Sequence, residues 1–261
     1  MRAKHMKATL LAAAAVFAVG AQAQDNTTAG IEAYREALQD GNPADLYVDS
    51  GAEIWKKKAG PKDASLEKCD LGLGPGKVKG AYAQLPRYFK DTNKVQDLES
   101  RLLTCMEKLQ GVDTAPIIKA EFTSPQKADL VALSAYVSSE SKGMKVKVSL
   151  AHPKEKQMYD LGRRLFYYEA GQYDFACATC HGQEGKRIRL QDLPYIPSAE
   201  GAAKGWTTWP AYRVSSGQMW SMQWRINDCF RQQRFPEPIY ASDVTIAISS
   251  FMAGNSNGAV M

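Results

Sequence analysis

Cys177-Ala-Thr-Cys180-His181 is the stretch that decides how this chain folds. Two thiols three residues apart can form thioethers with the two vinyl groups of a haem, and the adjacent imidazole then reaches the iron as proximal ligand. Cys177, Cys180 and His181 are therefore read as the attachment site of one covalent c-type haem. A zinc or dithiol site would use the same residue types. The chain has no second C-x-x-C, however, and its only other histidines are His5 and His152, which leaves zinc without a convincing ligand set.

The N-terminus assigns a compartment. Arg2, Lys4 and Lys7 precede an apolar run from Leu10 to Val19, and Ala21-Gln22-Ala23 supplies a small-residue cleavage site. That is the pattern of a secretory signal peptide over residues 1–23. A retained anchor helix is the rival, but the apolar run falls well short of the ~20 residues a span needs. An exported protein in an oxidising space, the periplasm, with no membrane span after cleavage, is the expectation. The leader holds three of the 33 basic residues and no acid, so the remainder carries 30 bases against 28 acids. A net charge so close to neutral gives no reason to expect nucleic acid or an anionic membrane as partner. The cluster Lys186-Arg187-Ile-Arg189 reads as a solvated face.

Outward from the haem motif, the chain repeats itself. Asp49, Gly51, Ala59, Gly60, Asp63, Cys69 and Gly74 recur as Asp160, Gly162, Ala170, Gly171, Asp174, Cys180 and Gly185, all at an offset of 111 without a gap. Helices are expected over Ala44–Lys58 and Pro153–Ala170, with Gly60 and Gly171 as their stops. Further on, Arg101-Leu-Leu-Thr-Cys105 answers Arg225-Ile-Asn-Asp-Cys229, and Ala132–Val137 answers Ala247–Met252. The fold class expected is all-α, with two tandem cytochrome-c-like domains related by internal duplication, residues 44–150 and 151–261, only the second with haem. A helical segment, Ala29 to Gln39, is expected within an N-terminal extension over 24–43, and a linker around Lys142 to His152.

The alignment has a chemical consequence. Leu66 stands at the place of Cys177, Cys69 at that of Cys180, and Asp70 at that of His181. The first copy thus lacks one thioether cysteine and the proximal ligand. Of the three cysteines outside the motif, two should pair in an oxidising compartment. Composition leaves three pairings open; the repeat chooses among them. Cys69 and Cys105 occupy the counterparts of a thioether site and of Cys229, which are close if Cys229 sits near its own iron, so a Cys69–Cys105 disulfide is expected and Cys229 is the odd thiol.

A helix is expected from Gln218 to Arg234, placing Arg225 and Cys229 at i and i+4 on one face. A nearby guanidinium lowers a thiol pKa and can hold an oxyanion. A thiolate is also a good ligand for ferric haem, so Cys229 ranks ahead of Met219, Met222 and Met252 as second iron ligand. A buried structural cysteine among Trp220, Trp224 and Phe230 is the bland alternative. Arg231 and Arg234 are expected to face solvent. The spacing between the paired cysteine positions grows from 36 to 49, so the second copy carries 13 extra residues near Gly205–Pro210. Trp206, Trp209, Trp220 and Trp224 fall in or near that region and are read as pocket wall and core.

Together, the signal peptide, the tandem halves, the single C-x-x-C-H and the late Arg225-x-x-x-Cys229 resemble the SoxA family, the haem subunits of L-cysteine S-thiosulfotransferase. The resemblance covers essentially the whole mature chain. It implies an enzyme that joins thiosulfate to a cysteine thiol of a SoxYZ-like carrier protein, passing two electrons to a SoxX-like cytochrome subunit. It further implies that Cys229 is the distal haem ligand, often found as a persulfide in the family, and that Arg225 is the active-site arginine. Some members carry two haems in this subunit; the missing first C-x-x-C-H points to the single-haem type. Two other functions compete: an electron-transfer cytochrome c with His/Met ligation, and a haem-based sulfur or redox binding protein.

Overall fold

In the computed structural model, which describes residues 29–30, 33–34, 36–37, 41–188 and 191–261, pairs of helices cross at glycines. Helix α1 (Pro43–Lys56) leads to a hairpin of β1 (Arg87–Phe89) and β2 (Lys94–Gln96), followed by α2 (Leu98–Cys105), a π-helical turn at Met106–Gln110, α3 (Ala115–Lys119) and α4 (Pro125–Ser139). There follow α5 (Pro153–Phe166), α6 (Cys177–His181), a short pair β3 (Arg187–Ile188) and β4 (Gln191–Asp192), α7 (Ala199–Trp206), a hairpin of β5 (Ala211–Arg213) and β6 (Gln218–Trp220), α8 (Met222–Gln233) and α9 (Asp243–Asn255), the second run. All three strand pairs are antiparallel. The chain divides after Asp45, and Leu46–Met261 forms one compact unit. Before it, the described positions 29, 30, 33, 34, 36 and 37 are helical. The expected signal peptide lies outside the described residues. Among the described residues no helix is long and apolar enough to cross a membrane.

The repeated glycines explain the crossings. A methyl group at Gly51 would run into the Ala132 carbonyl oxygen and come 2.8 Å from the Tyr136 Cβ; at Gly162 it would run into the Ala247 carbonyl and come 2.9 Å from the Phe251 Cβ. Only a residue without Cβ lets the α1–α4 and α5–α9 backbones approach so closely. Around these crossings the apolar periodicity is satisfied by burial. Leu66, Leu71, Leu85, Leu102 and Leu133 are fully enclosed, each contributing about 1.5–3 kcal/mol. Leu66, at the counterpart of Cys177, fills space with hydrocarbon where the second run presents a thiol.

Positions aligned at the later offsets of 124 (as Arg101 with Arg225) and 115 (as Ala132 with Ala247) also touch one another. The Tyr82 and Trp206 rings stack at 5.6 Å, the Gln223 N–H donates to Glu99 Oε2 at 3.1 Å, and Lys145 bridges Val260 in antiparallel pairing. The segment expected as a linker is thus tied down at Val146, whose N–H donates to the Ala259 carbonyl at 2.8 Å.

Four expectations need correction. The fold is helical but not purely so, since three antiparallel strand pairs punctuate the described residues. The first helix stops at Lys56 and the Pro153 helix at Phe166, two and four residues short of the expected ends. Gly171 therefore does not terminate a helix. It is small because a Cβ there would lie 2.8 Å from both the Gln233 carbonyl and the Phe235 ring. The helix expected from Gln218 begins only at Met222, because Gln218–Trp220 pairs with β5 and Ser221 caps α8, its Oγ accepting from Trp224 N at 3.2 Å. Strand pairing is a long-range competitor that helical periodicity does not register.

Candidate functional site

The C-x-x-C-H sequence forms one helical turn, α6, in which Cys177 is buried and Cys180 half-buried; neither is bridged. His181 Nδ1 lies 2.9 Å from the Pro194 carbonyl oxygen. That contact assigns the ring proton to Nδ1, orients the imidazole and leaves Nε2 as the free donor. Burial holds the His181 pKa below its ordinary value, against the pull of the Pro194 carbonyl, and the Arg225 charge lowers it further. A neutral imidazole is the form that binds metal. Burial, with the charge of Cys229 next, pushes the Cys177 thiol up to about 12.

Helix α8 brings Arg225 and Cys229 to this turn. Burial raises the Cys229 thiol above its ordinary value, Arg225 pulls it down, and Asp228 and Cys180 push it up. The sequence argument expected the guanidinium to win; burial outweighs it. Asp228, nearly enclosed, accepts from three side chains: Arg231 Nη2 at 2.7 Å, Gln232 Nε2 at 2.6 Å and Arg225 Nη1 at 3.3 Å. Arg225 holds the longest of these bonds and keeps 26% of its side chain exposed, so most of its donors are free to face an anion. Arg231 projects into solvent, as read from sequence, yet its head neutralises Asp228. Arg234 is exposed, ends α8 in a left-handed conformation, and donates to Gln172 Oε1 at 3.3 Å.

The counterpart place in the first run carries a disulfide, which lines an open cavity together with Asp70, Asp91 and Arg101. Cys69 and Cys105 are joined at 2.03 Å with a Cα–Cα separation of 5.6 Å. Arg101, aligned with Arg225, is buried and held by its Nε and Nη1. Its Nε donates to the Asp70 carbonyl at 2.6 Å, its Nη1 to both Asp91 carboxylate oxygens at 2.9 Å, and its guanidinium lies 4.0 Å over the Phe89 ring. The same residue type thus serves as a structural strut in one run and as a largely free cation in the other.

The second run fits a covalent c-type haem. Two unbridged thiols sit on one turn, the imidazole is pre-oriented, and two buried polar atoms near α8, Gln233 Oε1 and Trp220 Nε1, have no partner. Of the methionines weighed as iron ligands, Met219 is buried on β6 and Met222 at the start of α8, while Met252 packs beside Phe166, Cys177, Ile196 and Phe251. His152 is not a ligand candidate: its Nδ1 accepts from Lys154 N at 3.2 Å to cap α5, and its ring stacks 3.7 Å from Tyr88. Trp206 is core, and Trp220 and Trp224 stack at 4.7 Å. Asp228 and Arg213 were not picked out from the sequence. Asp228 lay in plain view between Arg225 and Cys229; Arg213 becomes visible only when β5 is aligned with β1.

Comparison with known proteins places the chain. The family model described as SoxA/TsdA, cytochrome c domain, matches residues 50–146, the part without a C-x-x-C-H. The L-cysteine S-thiosulfotransferase subunit SoxA of Hydrogenophilus thermoluteolus is 58% identical over 231 residues, covering 88% of this chain and 85% of that protein. A SoxA of Hydrogenobacter thermophilus is 40% identical over 217 residues, covering 83% and 78%. The crystal structure of SoxXA from P. pantotrophus superposes with a TM-score of 0.67 at 26% identity, covering 84% of this chain and 76% of that one. A c-type cytochrome fold, an Arg/Cys pair beside a haem-binding turn and this level of identity lead to one conclusion: the chain belongs to the SoxA family.

Proposed function

We propose that this protein is the SoxA subunit of an L-cysteine S-thiosulfotransferase that works in the periplasm, with Cys229 as the sulfur-handling residue. The carrying observation is the placement of Arg225 and Cys229 one turn apart on α8, within electrostatic reach of the turn that carries Cys177, Cys180 and His181. Cys177 and Cys180 would hold the haem as thioethers, and His181 and Cys229 would be the residues that bind its iron. The haem supplies redox chemistry beside the Cys229 sulfur. Two cytochrome-c-like halves, 44–150 and 151–261, arose by duplication on this view, and only the second binds haem. The glycine crossings, the matching hairpins and the self-contacting counterparts support it, as does the bridge between Cys69 and Cys105 where the haem-binding residues are missing.

The chemistry balances in two steps. Thiosulfate enters with its sulfonate oxygens on Arg225. A bond forms between Cys229 Sγ and the outer sulfur of thiosulfate, the Cys229 proton is released, and two electrons leave for the partner cytochrome, a SoxX-like subunit. The thiolate of a SoxYZ-like carrier then attacks that outer sulfur. The bond to Cys229 breaks, and Cys229 leaves as thiolate while the carrier keeps the S-thiosulfonate group. Low-dielectric surroundings strengthen the Arg225–sulfonate attraction. The solved relative's name, SoxXA, supports the two-subunit assembly.

The test is the mass of the Cys229 peptide from non-reduced protein, before and after thiosulfate. An added sulfur or thiosulfate group is expected. An unmodified thiol in both samples, or Cys229 bridged to Cys69 or Cys105, would overturn the mechanism. Cys229→Ser is expected to abolish transfer while the haem stays attached and the ferric spectrum changes. An unchanged spectrum would favour Met252, which packs beside Cys177, as ligand of a plain electron carrier.

A further inference from the structure

We propose that Arg213 is a second anion-binding residue of this site, forming with Arg225 a two-guanidinium clamp for a doubly charged sulfur oxyanion. The inference rests on the assignment of Arg225 and Cys229 to thiosulfate above. Arg213 ends β5, and its Cζ lies 5.9 Å from the Trp209 ring centroid and 5.8 Å from that of Trp220. Arg225 reaches the same Trp209 ring, also at 5.9 Å. Two cations therefore border one indole. Among the described residues no carboxylate lies within ion-pair distance of Arg213, whereas Arg225 has only its long bond to Asp228.

In the first run the corresponding positions pair with the arginine internally. Hairpin β1–β2 has the same register as β5–β6, Phe89 facing Lys94 as Arg213 faces Gln218. In that frame Phe89 corresponds to Arg213 and Asp91 to Ser215. Phe89 and Asp91 are the two residues that cover and neutralise Arg101. The second run replaces the aromatic by a cation and the acid by a neutral hydroxyl. Both changes add positive charge on the hairpin side of the arginine common to the runs, whose acid partner is now Asp228, at the place of Thr104 on the helix. A structural strut needs neither change; an anion site gains from both.

The strand holds Arg213 in place. Its carbonyl accepts from the Ser216 backbone N–H at 3.0 Å and from Ser216 Oγ at 3.1 Å, and Met219 anchors the facing strand in the core. Burial, then the Arg225 charge, lower the Arg213 pKa, so the two cations do repel one another. A dianion placed between them relieves that repulsion, and each planar fork can donate paired N–H bonds to sulfonate oxygens. A singly charged ligand gains less, so the clamp selects for charge.

The experiment uses the haem-loaded protein with its partner cytochrome. Thiosulfate binding is measured by calorimetry without carrier protein, alongside steady-state kinetics with it. Arg213→Phe, which copies the first run, and Ser215→Asp, which leaves Arg213 in place but adds the missing acid, are compared with Arg213→Lys and with Arg225→Ala. Arg213→Phe and Ser215→Asp are each expected to weaken thiosulfate binding and raise KM about 10- to 100-fold, the worth of a charge-assisted hydrogen bond, with kcat little changed. Arg213→Lys should restore part of the loss, and the haem spectrum should not move in any of the three. Wild-type binding in both Arg213→Phe and Ser215→Asp would overturn the clamp. If Arg225→Ala alone then lost binding, the thiosulfate assignment would stand without it. A wild-type protein that binds no thiosulfate would remove the assignment and the clamp together.

Discussion

Exchanging Glu99 for glutamine should erase most of the pH dependence of folding stability between about pH 4.5 and pH 7. Glu99 lies on α2, 4% exposed, and accepts from Tyr240 Oη at 2.5 Å and from the Gln223 N–H at 3.1 Å. Burial first, and the Asp97 charge second, raise its pKa from 4.5 to about 7. At 1.36 kcal/mol for each pKa unit, ionising it in place costs the folded state roughly 3 kcal/mol. The unfolded chain ionises near 4.5, whereas the folded chain keeps the proton until about pH 7. The folded state therefore binds more protons in this window, and its stability falls as pH rises. The contribution is complete below the unfolded pKa and gone above the folded one. Denaturant unfolding of wild type and Glu99→Gln, in steps from about pH 4 to about pH 8, reads the difference directly. The wild-type curve should lose roughly 3 kcal/mol more than the variant across the window, with other titrating groups cancelling in the comparison. Parallel curves would refute the assignment of the proton to Glu99. The residue matters to function because the Gln223 N–H it accepts belongs to the first turn of α8, which carries Arg225 and Cys229.

Removing the Cys69–Cys105 bridge with a Cys69→Ala/Cys105→Ala pair should cost about 4 kcal/mol, from loop-closure entropy at a sequence separation of 36. It should be read by thermal or chemical unfolding, with the haem spectrum unchanged. Gly162→Ala should destabilise by about 1–3 kcal/mol through overpacking of the α5–α9 crossing, and Gly51→Ala should do the same at α1–α4. An unfolding midpoint unmoved in either would show that the helices can part without penalty. Ser221→Ala removes the cap that accepts from Trp224 N and should cost about 1 kcal/mol, with faster amide exchange confined to the first turn of α8.

What the sequence determined by itself was local or periodic. The haem-binding turn was legible because its chemistry requires Cys177, Cys180 and His181 within five consecutive residues. Gly51 and Gly162 stood out in the sequence only as repeat identities, and the facing Ala132 and Ala247 carbonyls of the folded chain show them to be helix crossings. The R-x-x-x-C spacing that aligns Arg101 with Arg225 was legible because it sits within about one helical turn. Only the tertiary structure decided the rest. Gln218–Trp220 became a strand because a partner, β5, was within reach, and helical periodicity carries no information about that partner. The Cys229 thiol lies high because burial outweighs the neighbouring Arg225, a balance set by packing from several elements rather than by spacing along one. Arg213 stood 12 residues from Arg225 in the chain with no motif to mark it. It joins the site because a hairpin folds it over Trp209, and a residue whose role depends on what faces it is invisible until the facing residue is known.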